Sequence, residues 1–212
     1  MTIAWNLIDD PADRRAAWAE VVAECGYATY FQTPDWTDGM AQALGTWTSA
    51  PVAMEFADGN LAVLPLVKRL DSEHHESVFP GMYGGPLFLR PPTDTHWDEF
   101  DRVPLWYEDA FFVESPYAPF RWVPNGLVGW RLYTHRADLS VGFDGLWRAF
   151  RTNLRRSFAK AENADISVRL ATTRDECSAY YDIYAEALPR FGRNLQSYYP
   201  RSLFEGLADL PG

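Results

Sequence analysis

Residues 46–70 read TWTSAPVAMEFADGNLAVLPLVKRL, and the architecture turns on them. Two runs rich in β-branched and apolar residues, Thr46 to Phe56 and Leu61 to Leu70, flank Asp58-Gly59-Asn60, which is the signal for a β-hairpin. Upstream, Ile3 to Ile8 can form a first strand. Asp10-Pro11 then supplies an N-cap and a first-turn proline for a helix carrying Trp18, Val21, Val22 and Cys25 and stopped by Gly26. Thr33-Pro34 repeats the device for a helix with Trp36, Met40, Ala43 and Leu44. Helices and strands therefore alternate, and the expected class is α/β with a mixed sheet.

Downstream, Ser77 to Pro92 contains FPGMYGGPLF and reads as a strand broken by a glycine-rich bend, with Tyr83 available to line a pocket. Asp94 to Phe112 is expected to hold a helix within an acidic stretch, which by itself reads as a solvated face. Strands are expected at Phe120 to Val123 and Gly129 to Thr134. The clearest helix runs from about Phe143 to Glu162: Trp147, Phe150, Leu154, Phe158 and Ala161 form one stripe, and Arg148, Arg151, Arg155, Arg156 and Lys160 lie opposite at 100° per residue. A strand at Ile166 to Leu170 and a helix capped by Thr172 or Thr173, ended by Pro189, follow. Leu203 to Leu207 reads as a last short helix. Residues 3–25 and 166–188 repeat one order of elements, which places a second module from about Asp165.

The 212 residues are 47% hydrophobic and 16% aromatic, enough to bury a core, so a disordered chain is excluded. No apolar run approaches the roughly 18–20 residues of a membrane span, and the N-terminus lacks a signal-peptide pattern. Cys25 and Cys177 stand in no metal or redox spacing and read as reduced, buried thiols. The net charge of −10 argues against DNA and anionic surfaces as partners of the chain at large. Residues 131–170 depart from this, with eight Arg/Lys against four Asp/Glu, a local +4 in a chain otherwise −14. Two readings stand side by side: cations that solubilise an outer helix face, or an anion site built from guanidinium groups. The adjacent His74-His75 pair reads as a solvent-exposed loop rather than a metal site, and the common catalytic motifs are absent.

Thr134-His135-Arg136-Ala137-Asp138-Leu139-Ser140, Leu146-Trp147 and Arg151-Thr152-Asn153-Leu154-Arg155-Arg156-Ser157-Phe158-Ala159-Lys160-Ala161, followed by a strand and a Tyr-rich helix, resemble the FemAB family. Phe31-Gln32-Thr33-Pro34-Asp35-Trp36, the Leu-Pro-Leu of the run from Leu61 to Val67 and the Tyr-Gly-Gly bend are similar to that family's layout, over most of residues 28–193. The resemblance implies a GNAT-like domain at 1–164 and the start of a second, incomplete one at 165–212. It implies an acyl- or aminoacyltransferase, with acyl-CoA or aminoacyl-tRNA as co-substrate, no tightly bound cofactor and no metal. The acceptor would be a small molecule, a nucleotide sugar or a lipid-linked species of the cell envelope, peptidoglycan or exopolysaccharide. The location implied is cytoplasmic or peripheral at the inner membrane, with a dimer formed through the incomplete second domain as a further expectation. Substrate contacts are expected at Tyr83, Arg151, Arg155, Arg156 and Lys160, and no residue is assigned as catalytic.

Two departures bear on this. The acyl-CoA loop of GNAT proteins is missing, its nearest counterpart being Gln42-Ala43-Leu44-Gly45-Thr46-Trp47. Peptidoglycan-precursor transferases carry an acidic residue after the Gly-Pro bend, whereas Leu87-Phe88-Leu89 follow Gly85-Pro86 here, which favours a CelD-like acyltransferase. The alternative from another class is a catalytically silent GNAT-like binding or assembly module.

Overall fold

The computed structural model describes residues 3–77, 79, 82–102, 109–123, 128–129, 131–164, 166–191 and 199–210. Pro80 and Gly81 of the bend, Trp130, Asp165 and Tyr198 lie outside the described residues. Among those described, the fold is mixed α+β, with seven helices and two four-stranded sheets. It divides into two compact units, Met1–Gly129 with Thr173–Gly212, and Trp130–Thr172.

In the first unit, β1 (Trp5–Leu7) leads to the hairpin read from the sequence, in which β2 (Trp47–Ser49) and β3 (Val52–Phe56) oppose β4 (Leu61–Leu64) and β5 (Val67–Arg69). Ser49 faces Val67 and Val52 faces Leu64. Between them Ala50 N donates to Leu66 O at 2.8 Å, so one register runs unbroken through the hairpin and sets Pro51 directly opposite Pro65. Ala50–Leu66 and Phe56–Asn60 are hydrogen-bonded pairs. The proline pair, an odd number of steps away from each, therefore falls at a non-hydrogen-bonded position. Its two missing N–H groups face outward, toward neighbouring strands, and no ladder can continue there.

The outer partners accordingly change at the prolines. The tip half is flanked by β1 and β7 (Leu87–Phe88) in the order β1-β3-β4-β7. The other half takes β6 (His75–Glu76) and then β8 (Ala110–Phe111), in the order β2-β5-β6-β8, with the β6–β8 pair parallel.

Alternation along the tip strands fills both faces of the first sheet. Ala53, Val63 and Leu87 pack on Trp18, Val21 and Cys25, while Met54, Phe56, Ala62, Leu64 and Phe88 pack on Phe100 and Trp122. Strands buried on both faces read as continuous apolar runs, as this hairpin does. The helix α1 (Pro11–Glu24) starts at Asp10, whose carboxylate accepts from Ala12 N and Asp13 N. The helix α2 (Pro34–Leu44) starts at Thr33, which accepts from Trp36 N, and stops at Gly45 with φ +66°.

Among its described residues the acidic segment forms a short helix, α3 (Asp94–Phe100), and Ala110–Phe111 is strand rather than helix. Phe120 to Val123 keeps the in-out alternation of a strand without being one. Phe120 packs on Tyr27 and Trp97, Trp122 is buried, and Trp122 N bonds a side chain, Glu114 Oε1, at 2.8 Å instead of a neighbouring strand. At the C-terminal end, α6 (Arg174–Phe191) runs through Pro189 instead of ending before it, the proline sitting in its last turn. The helix opens at Thr173, whose Oγ1 accepts from Glu176 N at 3.3 Å. Tyr181 and Tyr184 pack with Trp36, Met40, Leu203 and Phe204, so α6 and α7 (Arg201–Leu207) complete the cluster around α2. The compact units thus divide after residues 129 and 172.

The second unit corrects the long-helix expectation. It contains α4 (Gly142–Ala149) and α5 (Thr152–Asn163), with Phe150 and Arg151 both extended between them. A straight helix would hold residues 147 and 158 about 16 Å apart, whereas the rings of Trp147 and Phe158 lie 5.1 Å apart. Thr152 and Asn153 favour a first turn over a helix interior, and the aromatic contact rewards the break. Described residues of Gly129 to Thr134 and of Ile166 to Leu170 are not strands, and no described strand pairs with them. Ile166, Val168 and Leu170 are exposed.

Candidate functional site

The bend carrying Tyr83 is built from the two motifs that the sequence separates by some fifty residues. Gln32 is fully buried. Its Nε2 donates to Gly84 O at 3.1 Å and Gly85 O at 3.2 Å, and its Oε1 accepts from Thr29 N at 3.0 Å and Thr29 Oγ1 at 3.1 Å. All four hydrogen-bonding positions of the amide are used. The backbone carbonyl of Gln32 accepts from Trp18 Nε1 at 2.8 Å, tying α1 to the same point. Gly85 has φ +88°, a conformation open to glycine at little cost.

Tyr83, half-buried, stands 6.3 Å from Phe31 ring to ring, and Trp36 Nε1 donates to Met82 Sδ at 3.3 Å. The bend therefore rests on an aromatic bed supplied by Phe31 and Trp36. A Cβ on Gly85 would lie 3.5 Å from the Glu114 Cα, and Gly84 pairs with Glu114 in an isolated bridge. Glu114, whose carboxylate accepts from Trp122 N at 2.8 Å and Arg121 Nη1 at 3.3 Å, thus stands beside the bend.

A second cluster was missed in the sequence. His75 is buried, not solvent-exposed, and half-buried His74 is held between two carboxylates: Nε2 lies 3.2 Å from Glu76 Oε1 and Nδ1 2.8 Å from Asp109 Oδ2. A neutral imidazole carries one N–H, so satisfying both contacts requires one further proton on the ring or on a carboxyl group. Burial pushes the Glu76 carboxyl above its ordinary range, partly opposed by His74. Burial pushes the His75 imidazole down, opposed by its bond to Glu73 O. The parallel β6–β8 pairing brings Asp109 here, and no local spacing reveals it. His96, also buried, is structural. Its Nδ1 accepts from Thr93 N at 3.1 Å, leaving Nε2–H to donate to Asp58 at 3.1 Å.

The remaining expected contacts are in the second unit. Arg151 caps the start of α5, and Arg155, Arg156 and Lys160 follow along it, all four exposed. None has an acidic partner within ion-pair distance among the described residues. At 100° per residue Arg156 and Lys160 lie opposite Leu154, Phe158 and Ala161, and Arg155 lies at the margin. Arg148 belongs to α4, so the basic stripe expected on one helix is shared between two.

Among the described residues no group of three or more His, Cys, Asp or Glu is placed to hold a metal ion. No described helix is long and apolar enough to cross a membrane. Comparison of the chain with family models, with curated proteins and with solved structures finds no match in any of the three.

Proposed function

We propose that the chain belongs to an acyl- or aminoacyltransferase of the FemAB type and binds the anionic part of a substrate through α5. The observation carrying this reading is the set of cations Arg151, Arg155, Arg156 and Lys160, without an ion-pair partner among the described residues, within a +4 segment of a chain otherwise −14. Guanidinium groups without carboxylate partners bind phosphate bidentately at little desolvation cost, and a phosphate or diphosphate is common to acyl-CoA, aminoacyl-tRNA, nucleotide sugars and lipid-linked sugars. The proposed location is cytoplasmic.

The test is calorimetric titration of the chain with a uridine diphosphate sugar and with coenzyme A at low salt. Binding that Arg155→Ala with Arg156→Ala weakens by about tenfold supports the reading, in line with the loss of charge-assisted bonds. Isotherms identical for wild type and variant sink it.

A second reading, a silent binding or assembly module, is favoured by one observation: no described residue of the second unit is buried. A larger-than-monomer mass in solution, with no binding of either ligand, selects it.

A further inference from the structure

The α4–α5 hairpin carries a contiguous aromatic patch that the second unit itself leaves uncovered. The Trp147 ring lies 6.0 Å from Phe143, 6.0 Å from Phe150 and 5.1 Å from Phe158. Phe143 is 70% exposed, Phe158 and Leu154 are each 49% exposed, and Phe150 is 36% exposed. By sequence position Arg148, Arg151 and Arg155 stand next to this patch, without an ion-pair partner among the described residues, while Arg156 and Lys160 lie on the far side of α5.

We infer that this hairpin is a membrane-surface contact, in which the patch around Trp147 seats at the headgroup–acyl boundary of an anionic bilayer and Arg148, Arg151 and Arg155 meet lipid phosphates. Trp, Phe and Leu on one face with Arg and Lys around it is the composition of a helix lying in that interface. Charge complementarity selects the partner. From Gly142 to Asn163 there are five Arg/Lys against Asp144 and Glu162, opposite in sign to the chain as a whole.

Two other occupants fit less well. A symmetric dimer through this face would bring the same cations together. RNA bases stack on free ring faces, whereas Trp147 is already met by Phe143, stacked at 19°, and by Phe150 and Phe158 at 69° and 74°. The inference does not rest on the transferase reading: Arg151 and Arg155 serve in both, but the aromatic patch on which this one turns has no part in that reading.

The experiment is flotation of the whole chain with vesicles of mixed phosphatidylglycerol and phosphatidylcholine, and with phosphatidylcholine alone. The chain is expected to float with the anionic vesicles, less so at high salt. Phe143→Ser with Phe158→Ser, checked for retained far-ultraviolet circular dichroism, should lower the partition coefficient by about tenfold or more. Arg148→Gln with Arg151→Gln, at exposed positions that carry no packing, should lower it for anionic vesicles alone. Failure to float, equal flotation with both vesicle types, or indifference to both double substitutions overturns the inference. So does a dimer abolished by the Phe substitutions, or retention on polyuridylate without flotation.

Discussion

Gln32 Nε2 reaches the Gly84 carbonyl at 3.1 Å, across 52 positions of sequence, and since the Gln32 backbone carbonyl accepts from Trp18 Nε1, α1 and the Tyr83 bend share one anchoring residue just ahead of α2. Replacing Gln32 with Leu leaves the carbonyls of Gly84 and Gly85 and the Thr29 amide without that partner inside the protein. The cost is about 3 kcal/mol, of the size found when buried polar groups lose their partners. Gln32→Glu should be about as damaging at neutral pH, because a carboxylate would face two carbonyl oxygens, and partly restored by acid. Urea unfolding at two pH values measures both.

Gly85→Ala places a side chain at φ +88°. The expected loss is about 1–2 kcal/mol, the strain of left-handed backbone for an L-residue. Gly26→Ala, where an added Cβ meets nothing within 4 Å, should leave the midpoint within about 0.5 kcal/mol of wild type. Equal effects at the two sites would contradict the bend geometry.

The raised Glu76 carboxyl makes stability depend on pH in a defined sense. With its folded pKa above the unfolded value near 4.5, its contribution is full below that value and is lost as pH rises through the folded one. Asp58 works in the opposite direction. The Asn60 amide above all, with His96, holds its carboxyl below 3.8, so its contribution is present above that value and lost in stronger acid. Glu76→Gln should therefore flatten the stability curve on the alkaline side of pH 4.5 and leave the acid limb unchanged. Denaturant melts between pH 3 and 8 decide it, and a loss confined to the acid limb would show the assignment to be wrong.

Amide exchange should separate the two units. With no buried residue between 131 and 172 among those described, amides of α4 and α5 should exchange far faster than those of Met54, Ala62 and Leu64, whose side chains are fully buried. Comparable protection in the two places would show that the second unit has a core of its own.

Local chemistry was readable wherever one residue decides one turn. Asp10, Thr33 and Thr173 each cap the helix expected of them, and Asp58-Gly59-Asn60 turns the hairpin. Periodicity misled where burial comes without pairing. Phe120 and Trp122 alternate like a strand because their rings enter the core, not because their backbone joins a ladder. The 100° stripe from Trp147 to Ala161 failed because two extended residues, Phe150 and Arg151, reset the phase, and neither is a glycine or proline. Of the candidate site, Tyr83 and the α5 cations were legible as residues. The pairing of Gln32 with Gly84 and of His74 with Asp109 was not, since each depends on long-range topology.

Leu203 and Phe204 lie in the cluster built on Trp36 and Met40, while the whole of the second unit intervenes in the chain. On the ribosome this has a timing consequence. The hairpin and α1 can assemble early, but the apolar side of α2 must wait, unsealed, until residue 204 has left the exit tunnel. A nascent chain stalled before that point should hold chaperones at Trp36 and Met40, and release them within the few residues that deliver α7.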